Sequence, residues 1–154
     1  MPSVARSALV SAGSDRLYSL INDIERYPSF VPYCEAAALL SDRTLDANQD
    51  DGAEREIVAS LTVARGRFRE RFTTRNRCWK DQRVQLRLVD GPLEELVGEW
   101  RLDRLNDAGC AVDLAVDYRF SSGLKLLSGA VTGLVARVAD DILDAFCREA
   151  EGRR

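Results

Sequence analysis

Residues 112–148 read VDLAVDYRFSSGLKLLSGAVTGLVARVADDILDAFCR, and within them the hydrophobic period changes from two to 3.6. Every second residue from Val112 to Phe120 is apolar or aromatic, which is typical of a half-buried antiparallel strand. From about Leu124 to Arg148 the apolar residues recur at helical spacing. They are Leu127, Val131, Leu134, Val135, Val138, Ile142 and Phe146. The stretch therefore predicts a strand followed by a long amphipathic helix.

Four more alternating segments precede this stretch, and each predicts a strand with one inward face. The expected inward residues are Ile57, Ala59, Leu61 and Val63; Phe68, Glu70, Phe72 and Thr74; Val84, Leu86 and Leu88; and Leu96, Gly98, Trp100 and Leu102. Turns are expected at Arg65-Gly66, at Asp90-Gly91-Pro92 and at residues 106–109. The middle of the chain is therefore predicted to form an antiparallel sheet.

The first part of the chain combines a strand, a helix and a loop. Val4 to Val10 reads as a short strand, and Ser14-Asp15 begins a helix. We expect this helix to end at Tyr27-Pro28, because the residue before a proline avoids the helical region. Residues 41–52 (SDRTLDANQDDG) are expected to form a loop between strands.

This order of elements predicts an α+β protein with a single domain over residues 1–154. One helix can cover an antiparallel sheet only if the sheet curls around it. A curved antiparallel sheet wrapped around a long C-terminal helix leaves an apolar tunnel between them, and small ligands bind in such concavities. The sequence therefore predicts a container for a hydrophobic small molecule.

Composition excludes several classes of function. The 154 residues are 45% hydrophobic and carry a net charge of −3, which argues against a general nucleic-acid binder. Histidine is absent, which excludes imidazole catalysis and His-ligated metals. The four cysteines lack metal-binding spacing, so we expect reduced thiols in a cytoplasmic protein. No cofactor, metal, signal peptide or membrane span is expected.

Aromatic residues on the predicted inward faces either line the tunnel or fill the core. They are Phe68, Phe72, Trp100, Tyr118 and Phe120. Trp100 and Tyr118 favour a cavity, since a buried indole N–H or phenol needs a polar partner that a ligand carbonyl can supply.

Glu70 lies between Phe68 and Phe72 on the same predicted face, where burial would raise the pKa of its carboxyl group. Such a group would suit the general acid or base of a cyclase-type enzyme. In the alternative interpretation the register is shifted by one, or Glu70 reaches the sheet edge or pairs with an arginine. No residue is therefore assigned as catalytic, and Glu70 is a candidate only.

Arginines occupy odd, outward positions of the same strand. They are Arg67, Arg69, Arg71, Arg75 and Arg77. A turn at residues 65–66 would place Glu54 opposite Arg77. It would likewise place Glu56 opposite Arg75, so that both pairs form and an unpaired basic strip remains at Arg67, Arg69 and Arg71. The strip is either a solvated sheet face or a docking patch for the phosphates of RNA or anionic lipids.

Two glycines, Gly129 and Gly133, lie in the predicted C-terminal helix, where each costs about 1 kcal/mol relative to alanine. We expect them to let the start of the helix approach the sheet closely or to flex as a lid. A lid would gate the entry of a ligand into the tunnel.

Three strings of sequence occur in a recognisable order. They are Tyr27-Pro28-x-Phe30-x-Pro32-x-Cys34, Phe72-Thr73-Thr74-Arg75-Asn76 and Leu88-Val89-Asp90-Gly91-Pro92-Leu93, with Trp100 downstream. Together they resemble the coenzyme Q-binding START-domain family, also labelled polyketide cyclase/dehydrase-like, over essentially the whole chain. The resemblance implies a helix-grip fold, as in START and pollen-allergen domains, which agrees with the predicted container.

The resemblance also implies three functions. The first is non-enzymatic binding of ubiquinone or a similar isoprenoid lipid, in support of respiratory quinone function. The second, seen in toxin-like members of the family, is association with the large ribosomal subunit, which blocks subunit joining. The third is a polyketide cyclase or aromatase activity.

Ligand contacts are expected at the tunnel and at its mouth. The resemblance implies that Tyr27, Pro28, Phe30 and Pro32 form a corner near the mouth, with Phe72 and Trp100 inside. We also expect contacts from Phe68, Tyr118, Val131, Leu134, Val135 and Val138. The basic strip suits a ribosomal surface or the inner face of a membrane, and no DNA partner is expected.

Overall fold

The computed structural model describes residues 3–120 and 128–152. The strands, in chain order, are β1 (Ser3–Val10), β2 (Cys34–Thr44), β3 (Arg55–Arg65), β4 (Phe68–Trp79), β5 (Arg83–Asp90), β6 (Glu95–Asn106) and β7 (Gly109–Arg119). The α-helices are α1 (Ser14–Ile21), α2 (Tyr27–Phe30) and α3 (Ser128–Ala150). The strands form one antiparallel sheet in the order β1-β7-β6-β5-β4-β3-β2. This curved sheet with its C-terminal helix confirms the predicted fold class.

The period-two alternation places the core on the concave face of the sheet. On β6 and β7 the inward residues Trp100, Leu102, Val112, Leu114 and Tyr118 are all buried. Hydrophobic side chains on one face of an antiparallel sheet pack against whatever covers that face. The strand predictions for this part of the chain are therefore confirmed.

The β3–β4 hairpin turns one residue later than predicted. Arg65 pairs with Phe68, so the loop consists of Gly66 and Arg67, and Gly66 has a φ of +60°. Glycine adopts this left-handed conformation without a steric penalty. The shift moves the register by two residues, so that Glu56 lies opposite Arg77 and not opposite Arg75.

The first helix ends earlier than predicted. α1 stops at Ile21, and the backbone N–H of Asn22 donates to the carbonyl of Tyr18. A short 3₁₀ turn follows at Ile24–Arg26, and then Tyr27 begins α2. Pro28 therefore lies in the first turn of a new helix, where a missing N–H costs nothing.

Strand β2 is an edge strand that extends into the predicted loop. Residues 41–44 continue β2, so the prediction of a loop over residues 41–52 was wrong at its start. Among the described strands β2 pairs with β3 alone, and the pairing has register shifts near Glu35 and Leu40. Most of its residues are exposed, and a bulged, exposed edge strand has no hydrophobic alternation by which to predict it.

The last twelve residues of α3 anchor it to the rest of the molecule. Its most buried residues there are Ala139, Leu143, Phe146, Cys147 and Ala150. The helix contacts β1, α1 and α2, and the predicted stripe members Val135, Val138 and Ile142 are half-buried. Residues 124–127, where we expected the helix to begin, and the side chains of Val131 and Leu134 lie outside the described residues. None of the described helices is long and apolar enough to cross a membrane.

Candidate functional site

An aromatic cluster lies between the concave face of the sheet and α3. Trp100 on β6 packs against Phe146 of α3, with ring centroids 4.9 Å apart. Tyr118 on β7 packs edge-on against Phe120 at 5.2 Å. Trp100, Tyr118 and Phe120 are buried, as the alternation predicted. The concave face thus has a broad apolar surface at β6 and β7.

The hydroxyl of Tyr118 is a buried polar atom within this apolar surface. The side chain is 0% exposed, and Tyr118 Oη has no hydrogen-bond partner among the described residues. An unsatisfied buried hydroxyl costs roughly 1–3 kcal/mol. The described residues therefore leave the hydrogen-bonding capacity of Tyr118 Oη unused.

A second polar group lies three strands away on the inward face of β4. Thr74 and Asn76 are buried, and Thr74 Oγ1 donates to Asn76 Oδ1 over 2.8 Å. Phe72, on the same face, is half-buried. Polar residues at inward positions of an alternating strand were the signal for this pair, which the functional prediction did not use.

The same face of β4 continues to a buried thiol. Cys78 Sγ donates to Asn22 Oδ1 over 3.4 Å, and the Asn22 amide nitrogen has no partner within the described chain. Burial raises the pKa of the Cys78 thiol from 9.0 to about 12. Burial also raises the pKa of Cys34 and Cys110. These thiols remain protonated and unreactive at neutral pH.

The corner around α2 packs against the C-terminal half of α3. Tyr27 is buried, its hydroxyl donates to the carbonyl of Ile21, and its ring contacts Phe30 and Phe146 at 5.9 and 5.4 Å. Burial raises the pKa of Tyr27 well above its ordinary value. Beside it runs an open groove of about 570 Å³. The groove is lined by Pro28, Ser29, Phe30, Val31, Pro32, Asp141, Asp144, Ala145, Arg148 and Glu149.

Tyr33 connects this corner to α3 and to the β3–β4 hairpin. Its φ of 68° is a strained conformation for a bulky side chain. Tyr33 Oη donates to Asp141 Oδ2 over 2.5 Å, and the Arg65 guanidinium stacks over the ring at 5.4 Å. The hydrogen bond to Asp141 raises the pKa of Tyr33. The sequence did not single out this residue.

The tip of the β3–β4 hairpin is exposed, which corrects two predictions. Phe68 is 43% exposed and Glu70 is also exposed. Both lie an even number of residues from Thr74 on β4 and therefore point from the same inward face as Thr74. Parity determines which face a side chain points from, whereas burial requires another element over that face. Glu70 is therefore not the buried carboxylate that the cyclase hypothesis required.

The three arginines of the predicted basic strip have different environments in the structure. Arg67 lies in the turn, and Arg69 pairs with Glu35 at 2.8 Å, so Arg69 is not unpaired as predicted. Arg71 is exposed, and its guanidinium donates to Ser60 Oγ over 3.3 Å.

The two glutamates predicted to pair with arginines behave differently from each other. Glu54 accepts a hydrogen bond from Tyr18 Oη at 2.9 Å, so the expected Glu54–Arg77 pair does not form. Glu56 lies 3.7 Å from Arg75, 3.8 Å from Arg77 and 3.3 Å from a third arginine, Arg43. One carboxylate therefore lies within ion-pair distance of three guanidinium groups.

The described residues contain no cluster of side chains with the composition of a metal site. On α3, Val135 and Val138 are half-buried, while the placement of Val131 and Leu134 as ligand contacts lies outside the described side chains. Gly133 is exposed, and a Cβ added there would meet none of the described atoms within 4 Å. The expectation that Gly133 allows a close approach to the sheet is therefore wrong.

Comparisons with known proteins match this chain to a family by sequence and to solved structures by fold. A family model described as polyketide cyclase / dehydrase and lipid transport matches residues 10–147. The ribosome association toxin RatA of Pseudomonas aeruginosa is 33% identical over 148 residues, 96% of this chain and 94% of that protein. The mitochondrial coenzyme Q-binding protein coq10 of Schizosaccharomyces pombe is 26% identical over 139 residues, 88% of this chain and 78% of that protein. The crystal structure of the Zhui aromatase/cyclase from Streptomyces sp. R1128 superposes with a TM-score of 0.76 at 20% identity, covering 97% of this chain and 93% of that one.

Proposed function

Because the chain belongs to the polyketide cyclase / dehydrase and lipid transport family, we propose that it binds a hydrophobic small molecule between the concave face of the sheet and α3. The observation that carries this proposal is the buried hydroxyl of Tyr118, which has no partner among the described residues. A protein retains such a group at a cost, and a bound ligand oxygen would remove that cost.

The proposed ligand is an isoprenoid quinone such as ubiquinone. Its tail would bury apolar surface against the aromatic cluster, at about 25 cal/mol per Å² removed from water. A ring carbonyl would accept the hydrogen bond of Tyr118 Oη and orient the head group. The coenzyme Q-binding relative supports this ligand class. The protein would support respiratory quinone function as a carrier, without catalysing a reaction on its ligand.

The proposed ligand contacts extend from the interior to the corner. Inside the sheet they are Phe72, Trp100 and Tyr118, and on the helix they are Val131, Leu134, Val135 and Val138. Towards the groove they are Tyr27, Pro28, Phe30 and Pro32, with Phe68 at the exposed hairpin tip. A carrier of this kind would be cytoplasmic and would meet the inner face of the membrane to load its lipid.

The test is the ligand content of the protein. The chain is purified without detergent, extracted with organic solvent and analysed by mass spectrometry. A stoichiometric quinone or other isoprenoid in the extract supports the proposal. The proposal is overturned if the extract is empty and if added ubiquinone neither quenches nor shifts the tryptophan fluorescence of the protein.

Association with the large ribosomal subunit is the second candidate function. It is favoured by the ribosome association toxin, whose sequence aligns with 96% of this chain. In this function the protein would block the joining of subunits, and exposed arginines such as Arg71 would contribute positive charge towards ribosomal RNA. Light scattering of mixed ribosomal subunits, with and without the protein, measures whether joining is blocked.

A cyclase activity has less support from the structure. Glu70 was the proposed acid–base group, and it is exposed at the hairpin tip. The likeness to the aromatase/cyclase is one of fold. We therefore favour a binding protein over an enzyme.

A further inference from the structure

We propose that the convex face of the sheet binds the phosphate backbone of RNA through Arg71, Arg75 and Arg87. This inference rests on the second candidate function and deepens it, because it names the surface that would contact the ribosome. The surface differs from the strip that the sequence predicted. It includes Arg87 from a neighbouring strand and omits the turn residue Arg67 and the paired Arg69.

The three arginines share the outward face of two adjacent strands. Arg75 on β4 lies directly opposite Arg87 on β5 in the antiparallel register. Arg71 lies four residues from Arg75 on β4, which is about 14 Å along an extended strand. The hydroxyl of Ser60 accepts a hydrogen bond from Arg71 and so helps to orient its guanidinium. The three exposed side chains therefore share the outward face of β4 and β5.

The positive charge of these three arginines is only partly neutralised within the described chain. Arg71 and Arg87 form no ion pair with a described residue, and Arg75 shares the carboxylate of Glu56 with Arg77 and Arg43. Like charges directly opposite on neighbouring strands reduce the stability of a sheet. Phosphate groups bound between the guanidinium groups would turn this repulsion into attraction.

The chemistry of the face favours RNA over a lipid bilayer. Its other outward side chains on β4 and β5 include Thr73 and Gln85, and Val89 is the exposed large apolar residue among the described ones there. Apolar side chains that enter the lipid strengthen the electrostatic attraction of a basic surface to an anionic bilayer, and this face does not concentrate such side chains. Twenty of the twenty-two basic residues of the chain are arginine, whose planar guanidinium binds phosphate oxygens in pairs.

The test compares two triple variants of equal charge. Arg71→Gln/Arg75→Gln/Arg87→Gln removes the proposed surface. The control, Arg101→Gln/Arg104→Gln/Arg119→Gln, removes three exposed arginines from β6 and β7. Binding to a short fluorescent RNA duplex, to purified large ribosomal subunits and to phosphatidylglycerol vesicles is measured at several salt concentrations.

The proposal predicts that only the first variant loses RNA binding. Its affinity for the duplex should fall about tenfold or more at low salt. The slope of the logarithm of affinity against the logarithm of salt concentration should become shallower by about two to three. An equal loss in the control would assign the effect to net charge and overturn the surface. Wild-type protein that binds vesicles and no RNA would also overturn it.

Binding to purified large ribosomal subunits distinguishes a failure of this surface from a failure of the ribosome association on which it rests. If the wild-type protein binds subunits and the first variant binds equally well, the surface is wrong and the association stands. If the wild-type protein binds the duplex but no subunits, the surface stands and the association is wrong.

Discussion

Two buried tyrosines of this molecule have hydroxyl groups with opposite surroundings. Tyr118 Oη has no partner in the described chain, whereas Tyr18 Oη donates to Glu54 over 2.9 Å. Removing an unpaired buried hydroxyl relieves a desolvation cost, while removing a paired one loses a hydrogen bond. The two residues therefore form a matched pair for mutation.

We predict that Tyr118→Phe stabilises the ligand-free protein and weakens ligand binding. The free energy of unfolding should rise by about 1 kcal/mol, and the affinity for ubiquinone should fall about tenfold. Tyr18→Phe should instead lower the free energy of unfolding by about 1 kcal/mol and leave the affinity unchanged. Urea denaturation and fluorescence titration measure both effects. A destabilised Tyr118→Phe with normal affinity would contradict the orienting role.

The buried thiol of Cys78 predicts a dependence of stability on pH. Its pKa is raised from 9.0 to about 12 by burial, so the folded state keeps a proton that the unfolded state releases. This contribution to stability is complete below pH 9.0 and is lost as the pH rises towards about 12. Between these values the loss approaches 1.4 kcal/mol per pH unit.

We therefore predict that Cys78→Ala loses less stability than the wild-type protein in alkaline solution. The variant has a lower free energy of unfolding at neutral pH, because it leaves a small cavity. Urea unfolding at neutral pH and at about pH 10 should show a shallower decline for the variant. Parallel declines would show that other groups, such as the buried tyrosines, account for the alkaline instability.

At the scale of elements, β4 has a different chemistry on each face. Thr74 and Asn76 point inward and are buried, while Arg75 between them points outward. This arrangement follows from the pleat, which sends successive side chains to opposite faces. One strand therefore presents a buried polar pair to the interior and an exposed guanidinium group to the solvent.

Helix α3 contains a glycine that its environment does not require. Gly133 is exposed, and a Cβ added there meets none of the described atoms within 4 Å. We predict that Gly133→Ala raises the free energy of unfolding by up to about 1 kcal/mol, by its higher helix propensity. Urea denaturation measures this gain, and stopped-flow binding of ubiquinone tests the lid.

If the helix opens as a lid by flexing at Gly133, its opening should be slower in the Gly133→Ala variant. Slower ubiquinone association together with the gain in stability would support gating by the helix. An unchanged association rate would remove Gly133 from the gating hypothesis, because a stiffer helix would then have no effect on entry.

At the scale of the whole molecule, the two proposed binding surfaces lie on opposite faces of one sheet. The proposed ligand site includes Tyr118 and Trp100 on the concave face, and the proposed RNA surface consists of Arg71, Arg75 and Arg87 on the convex face. No residue belongs to both surfaces. The two ligands therefore have no steric reason to compete.

We predict that ubiquinone and a short RNA duplex bind at the same time. The affinity for the duplex should change less than about twofold when the protein is saturated with ubiquinone, which corresponds to a coupling free energy below about 0.5 kcal/mol. Fluorescence anisotropy of the labelled duplex measures the affinity with and without quinone. A large change in either direction would show that ligand loading controls docking.

The candidate site was predicted in part from the sequence. Alternation placed Trp100 and Tyr118 on the inward face, and the structure buries both. Phe68 and Glu70 have the same parity and are nevertheless exposed, because the described elements do not cover the hairpin tip. Parity is a property of the local backbone, whereas burial depends on contacts between residues distant in the chain.

The sequence by itself determined the strands from β3 to β7, the C-terminal helix and the face from which each strand residue points, because these follow from local hydrophobic periodicity. Only the tertiary structure decided the partners of these residues. It placed Arg75 opposite Arg87, joined Arg69 to Glu35, and left Tyr118 Oη without a partner among the described residues. A shift of one residue in a turn changes every cross-strand pair that follows, so such pairings depend on the register of the whole sheet.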